Sequence, residues 1–156
     1  MNNEQNVQEE ETYILFEVAG TTYGVPSRSV RQLEMIEHIT PVPNASEGVE
    51  GVVFSRGQVI PAINLRTRFG FPKTDFDVRT RLVVVSVGER NIGLIADTAR
   101  EFKRIGAEAI NPPSDNLEST SGKYLEAIAT LENRIILLLN LAEVVKIGEE
   151  IEVESK

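Results

Sequence analysis

Apolar residues along this chain gather in short runs separated by glycine, proline, asparagine and charged pairs. Residues 13–18 and 82–87 are two such runs, both rich in β-branched and aromatic side chains. Runs of this length and composition predict strands. Ile14, Phe16 and Val18 fall on one face by the period of two. Gly20 and Gly88 mark the turns that follow, and second strands are predicted at 22–25 and 91–96. Third strands are expected at 32–37 and 101–105. A helical turn should precede each of these: Pro26 fixes φ at a compatible start position, and Asp97 is a candidate N-cap. Hairpins come next. Residues 52–55 and 59–64 flank Arg56-Gly57, and residues 127–131 and 134–139 flank Glu132-Asn133. Pro61 cannot donate to a ladder, which places its strand at an edge or a bulge. Pro41-Val42-Pro43-Asn44 reads as a turn, with Asn44 and Glu47 as a capping box for a brief helix. Asn140 and Glu143 offer a second capping box, opening a helix to about Ile147. The segment 106–123, with Pro112-Pro113, reads as a long surface loop.

The pattern occurs twice. Gly24 and Gly93 stand 69 positions apart (93 − 24), and the same offset pairs Val18 with Val87, Arg31 with Arg100, Leu33 with Phe102 and Ile36 with Ile105. Further on, an offset of 76 (140 − 64) pairs Asn64 with Asn140, Leu65 with Leu141, Val59 with Ile135 and Val52 with Ile128. Matched glycines and a matched Asn-Leu argue for two related halves, 12–72 and 79–147. Many short strands with tight turns, given twice, predict a mainly β fold: two small five-stranded antiparallel β-barrel subdomains packed together, with a few short helices including one near the C-terminus. Each half is too small for a generous core of its own, so the two should fold as one unit.

Composition narrows the function. The 156 residues carry 24 acids against 16 bases, a net charge of -8, which opposes nucleic acid as a partner. No cysteine is present, so disulfides and thiolate metal sites are excluded. No apolar run approaches the ~18 residues of a membrane span, and the start, Met1-Asn2-Asn3-Glu4, lacks the pattern of a secretory signal. Membrane association would then go through a partner. Residues 1–11 and 148–156 are acidic and read as solvated tails. The one histidine, His38, has no cysteine or second histidine to share a metal with and no nucleophile context. Ser121-Gly122-Lys123 lacks the glycine spacing of a phosphate-binding loop. No metal, no cofactor and no enzymatic activity are expected; a polar pocket with titratable groups, which a small-molecule-binding or enzymatic barrel would need, is not legible. Function is expected to lie in surfaces.

The stretch from Gly51 to Gly70, G-V-V-F-S-R-G-Q-V-I-P-A-I-N-L-R-T-R-F-G, resembles the signature of CheW-like domains, G-V-I-N-L-R-G-x-V-x-P-V-I-D-L-R-x-R-F-G. Tyr23-Gly24-Val25 to Val30, Val42-Pro43-Asn44, Val85 to Asp97 and Tyr124 to Leu141 follow the pattern too, so the resemblance covers about 12–147. It implies two five-stranded barrels side by side and a cytoplasmic, non-enzymatic adaptor recruited to membrane receptor arrays. The implied partners are the regulatory domain of a CheA-type histidine kinase and the cytoplasmic tip of methyl-accepting chemotaxis receptors. Arg56 and Gly57 match the family's functional Arg-Gly; an arginine at a hairpin tip can bond a partner carboxylate or carbonyl, while Gly57 serves the turn. Gly51 marks close backbone packing. Val30, Gln32 and Leu33 occupy the region resembling the coupling face, with Leu33 equally readable as core. The chain departs from the family at Gln32, often glutamate there, at Phe54-Ser55, where Asn-Leu is usual, and at Asn64, where aspartate is usual. Phe54 is either an exposed aromatic anchor or barrel filling. These departures leave open a non-flagellar chemosensory system, or a decoy that binds kinase and not receptor.

Overall fold

The computed structural model describes residues 10–46, 48–113 and 122–146. The first half contributes β1 (Glu11–Val18), β2 (Thr21–Pro26), β3 (Val30–Met35), β4 (Val49–Ser55), β5 (Gln58–Asn64) and a one-turn helix α1 (Leu65–Arg68). The second contributes β6 (Arg81–Val87), β7 (Arg90–Ala96), β8 (Thr98–Ile105), β9 (Ile110–Asn111), β10 (Leu125–Leu131), β11 (Arg134–Leu139) and α2 (Leu141–Val144). Short 3-10 turns lie at Ser27–Ser29, Ala107–Ala109 and Gly122–Tyr124.

The strands form two sheets, in the orders β8-β1-β2-β11-β10-β9 and β3-β6-β7-β5-β4. Each sheet draws on both sides of the boundary near residue 75. β3 of the first half pairs with β6 of the second, and β8 of the second pairs with β1 of the first. The last strand of each half then lies beside the second strand of the other, and these pairs, β5 with β7 and β11 with β2, are parallel. The fold is thus mainly β in two sheets, but not purely antiparallel. One sheet has six strands because Ile110 and Asn111 pair with β10. The equivalent contact in the other sheet is a single bridge, Thr40 to Val52. Among the described residues neither sheet closes by a backbone ladder: β8 and β9 are the edges of one, β3 and β4 of the other.

The apolar runs are explained by burial on both faces. In β6, Leu82 and Val84 point into a cluster within the five-stranded sheet, with Val53, Ile60, Ala62 and Ile95. Val83 and Val85, on the other face, join a central cluster shared by both sheets. β1 does the same, with Tyr13 and Leu15 inside the six-stranded sheet and Phe16 and Val18 in the shared core. A strand covered on both sides has no polar face, so its sequence does not alternate. Aromatic rings cross the shared core in series: Phe16, Tyr23, Phe69 and Tyr124, with centroids 6.3, 5.0 and 5.4 Å apart.

Two arginines that follow the second hairpin strand tie the halves together. Arg66 Nε and Nη2 donate to the Asp97 carboxylate at 3.0 and 2.9 Å, and the Ala19 N–H donates to the same carboxylate at 2.8 Å. Arg68 donates to the Val144 carbonyl at 3.0 Å and to the Lys146 carbonyl, and its guanidinium lies over the Tyr124 ring. Asp97 is therefore no helix cap. β7 passes to β8 through a bend, because that carboxylate is occupied by Arg66 and the β1–β2 turn.

Other local expectations sort by their caps. Pro26 does precede a 3-10 turn, Ser27–Ser29. Asn140 accepts from the Glu143 N–H and caps α2, and Asn64 accepts from the Arg66 N–H and caps α1. α2 ends at Val144; Ile147 lies outside the described residues, as do Glu47, residues 1–9 of the expected 1–11 tail and residues 148–156. No helix follows Asn44 among the described residues, since that residue takes φ 58 within a turn. β5 is an interior strand, not an edge. Its ladder to β7 begins at Ala62, so the N–H that Pro61 lacks is not needed. The segment 106–113 holds a 3-10 turn and β9 where a plain loop was expected, and 114–121 lies outside the described residues.

Candidate functional site

The β4–β5 hairpin builds the site. Its two-residue turn needs left-handed backbone at both positions, and Arg56 and Gly57 supply it with φ 50 and 81. Both are exposed at the tip, and Arg56 makes no hydrogen bond or ion pair among the described residues. Just below the tip, Phe54 faces Val59 across the two strands. Their side chains are 75% and 66% exposed, an unusual placement for a phenylalanine, so Phe54 is an exposed aromatic and not barrel filling.

This hairpin borders the open seam between β3 and β4. Side chains bridge it where backbone does not. Gln32 donates to the Ser55 hydroxyl at 2.6 Å, and that hydroxyl donates to Glu34 at 2.6 Å. Ser55 is buried, so its replacement of the family's leucine places a hydroxyl inside the seam. Shallow clefts flank this bridge. One, of about 550 Å³, is lined by Met35, Ile36, His38, Phe54 and Arg56 among others. The other, of about 380 Å³, is polar and includes Arg31, Gln32, Arg56, Gln58 and Asn91. Gln58 accepts from Asn91 at 3.0 Å along its floor. Arg56 borders both clefts.

The remaining expected residues are placed differently. Val30 and Leu33 are half-buried and pack against the shared core, although Val30 also edges the polar cleft. Gly51 is buried; a Cβ there would stand 2.2 Å from the Thr40 carbonyl oxygen, so its role is close approach of two backbones. The structure therefore brings Arg56, Gly57, Gln32 and Phe54 to one surface, with Val30 at its margin, and leaves Leu33 and Gly51 beneath it. It adds Arg31, Met35 and Val59. The pairing of Val59 with Phe54 was implicit in a two-residue turn at Arg56-Gly57. Arg31 and Met35 carried no local signal, because β3 reaches the hairpin only through the tertiary fold.

Among the described residues, no group of three or more potential metal ligands is gathered, and no helix is long and apolar enough to cross a membrane. The surface offers an exposed phenylalanine beside an exposed valine, a guanidinium without a partner among the described residues, and hydrogen-bonding amides, which are features of protein interfaces.

A family model for the CheW-like domain matches residues 12–149. A chemotaxis protein CheW of Helicobacter pylori is 29% identical over 147 residues, covering 93% of this chain and 85% of that protein. One of Klebsiella aerogenes is 23% identical over 137 residues, covering 88% and 82%. The crystal structure of the scaffolding protein TtCheW from Thermoanaerobacter tengcongensis superposes with a TM-score of 0.81 at 27% identity, covering 87% of this chain and 92% of that one.

Proposed function

The chain belongs to the CheW-like domain family and is a chemotaxis adaptor, and from that premise we propose that it couples methyl-accepting receptors to a CheA-type histidine kinase. In this reading the β4–β5 hairpin and the β3–β4 seam meet the kinase's regulatory domain. The observation that carries it is Arg56: a guanidinium at an exposed tip with no partner among the described residues, beside the exposed Phe54 and Val59. Such anchors give large buried area at low entropy cost, and a charged neighbour sets register. The adaptor acts without catalysis and sits in the cytoplasm, reaching the membrane through the receptors it binds. Residues 12–147 act as one unit, because each sheet needs strands from both halves. Simultaneous contact with receptor and kinase raises effective concentration, so modest interfaces suffice.

Calorimetric titration of this protein into the purified regulatory domain of a CheA-type kinase tests the reading. Saturable binding at roughly one-to-one is expected, and Arg56→Glu should weaken it by about tenfold or more with an unchanged melting curve. No heat of binding at high micromolar concentration would remove the kinase as the partner. Binding to kinase with none to receptor would make the protein a decoy.

A further inference from the structure

The internal repeat carries one cleft twice. At the offsets found in the sequence, Arg31, Gln32 and Gln58 of the polar cleft correspond to Arg100, Glu101 and Arg134, which line a cleft on the six-stranded sheet. The backbone repeats as well. Val30 pairs with Val85 and Gln32 with Val84, leaving Arg31 as the bulged residue; Ala99 pairs with Phe16 and Glu101 with Leu15, leaving Arg100 bulged in the same way. Bulges conserved between repeats re-aim a side chain.

The chemistry of the two clefts differs. On the six-stranded sheet the site is internally neutralised: Arg134 Nη1 and Nη2 donate to the two Glu101 oxygens at 2.9 and 3.2 Å. On the five-stranded sheet the corresponding acid and base are Gln32 and Gln58, amides already engaged with Ser55 and Asn91. Two guanidiniums line this cleft, Arg31 and Arg56, and neither has a hydrogen bond or ion pair among the described residues. The nearby Glu34 carboxylate accepts the Ser55 hydroxyl and forms no ion pair among the described residues.

We propose that this cleft is a receiver for a carboxylate from the partner: an Asp or Glu side chain that meets Arg31 and Arg56 in trans, as Glu101 meets Arg134 in cis on the other sheet. The proposal rests on the hairpin being the kinase-facing surface and names the chemistry of its contact. Guanidinium forks favour carboxylates through paired, charge-assisted bonds. The exposed Phe54 and Val59 alongside would shield such a pair from water once docked.

The test uses the full chain and the regulatory domain of a CheA-type kinase, titrated at about 0.05 and 0.3 M salt, where screening lengths differ more than twofold. Wild type should bind less tightly at the higher salt. Arg31→Gln and Arg56→Gln should each weaken binding about five- to tenfold and flatten the salt dependence. Gln32→Glu supplies a carboxylate where Glu101 stands in the other repeat, so it should occupy the arginines in cis and weaken binding comparably. Melting curves should stay unchanged for the arginine variants, since neither side chain is engaged among the described residues. Wild-type binding that the Arg31→Gln/Arg56→Gln double variant and Gln32→Glu both retain within twofold, at both salts, overturns the carboxylate reading alone. Absence of wild-type binding overturns the kinase-facing reading, and this proposal with it.

Discussion

Gly51→Ala separates a structural role from a contact role at the candidate site. Gly51 has φ 157, and an added Cβ would stand 2.2 Å from the Thr40 carbonyl oxygen, 2.8 Å from its carbon and 2.9 Å from Ile39 Cγ2. The first two are backbone atoms of a residue that exchanges hydrogen bonds with Val52, both 2.9 Å long. A carbon needs about 3.5 Å to a neighbour, so the strands must part by roughly 1 Å. That displacement breaks both bonds, at about 1 kcal/mol each. Alanine at this φ adds about 1–3 kcal/mol of backbone strain. The expected loss is about 3–5 kcal/mol, which at about 2–4 °C per kcal/mol for a chain of this size lowers Tm by roughly 10 °C. Thermal unfolding followed by circular dichroism measures it, and urea denaturation checks the free energy. Affinity for the kinase domain, measured well below the variant's Tm, should stay near wild type because Gly51 is buried. A variant that melts within about 2 °C of wild type refutes the clash argument. Weakened binding with undiminished stability would return Gly51 to the contact surface.

Phe54→Ser should leave stability within about 0.5 kcal/mol of wild type, because the ring is largely in solvent. The same change should weaken kinase-domain binding about tenfold by calorimetry, as loss of an aromatic anchor does. Asp97→Asn keeps the shape of the side chain but removes the charge that holds Arg66 and the Ala19 N–H. A loss of about 2 kcal/mol is expected in urea denaturation. Glu101 is held below the ordinary glutamate range by its hydrogen bonds from Arg134, which outweigh the cost of partial burial. A depressed folded-state value means the pair stabilises the protein above the unfolded-state value and loses that contribution as pH falls through the folded one. Glu101→Gln should therefore cost under about 1 kcal/mol at pH 7, given the pair's exposure. Its stability should converge with wild type as pH drops below the ordinary glutamate value of about 4.3.

Much of this molecule is legible in its sequence. The strand pairs around Gly20, Arg56-Gly57, Gly88 and Glu132-Asn133 follow from local turn chemistry, and the Asn140 cap follows from a side chain that reaches its own backbone; the matching Asn64 cap was implied only by the repeat. Both need only neighbours in sequence. The signature from Gly51 to Gly70 pointed to the family and to Arg56 for the same reason: it is one continuous hairpin and helix. Asp97 misled because a cap and an ion-pair partner look alike in sequence; only the arrival of Arg66, 31 residues away, distinguishes them.

What the sequence determined alone is therefore most of the strands, their duplication and the chemistry of the hairpin tip. Tertiary structure decided how the halves combine. Apolar runs such as Leu82 to Val85 announce burial on both faces but not which strands cover them. Both faces are buried because each half lends strands to the other's sheet. That exchange carries β3 alongside the β4–β5 hairpin and so brings Arg31 to Arg56. A site assembled across an open seam depends on which edges meet, and that is a property of packing, which no local pattern along the chain encodes.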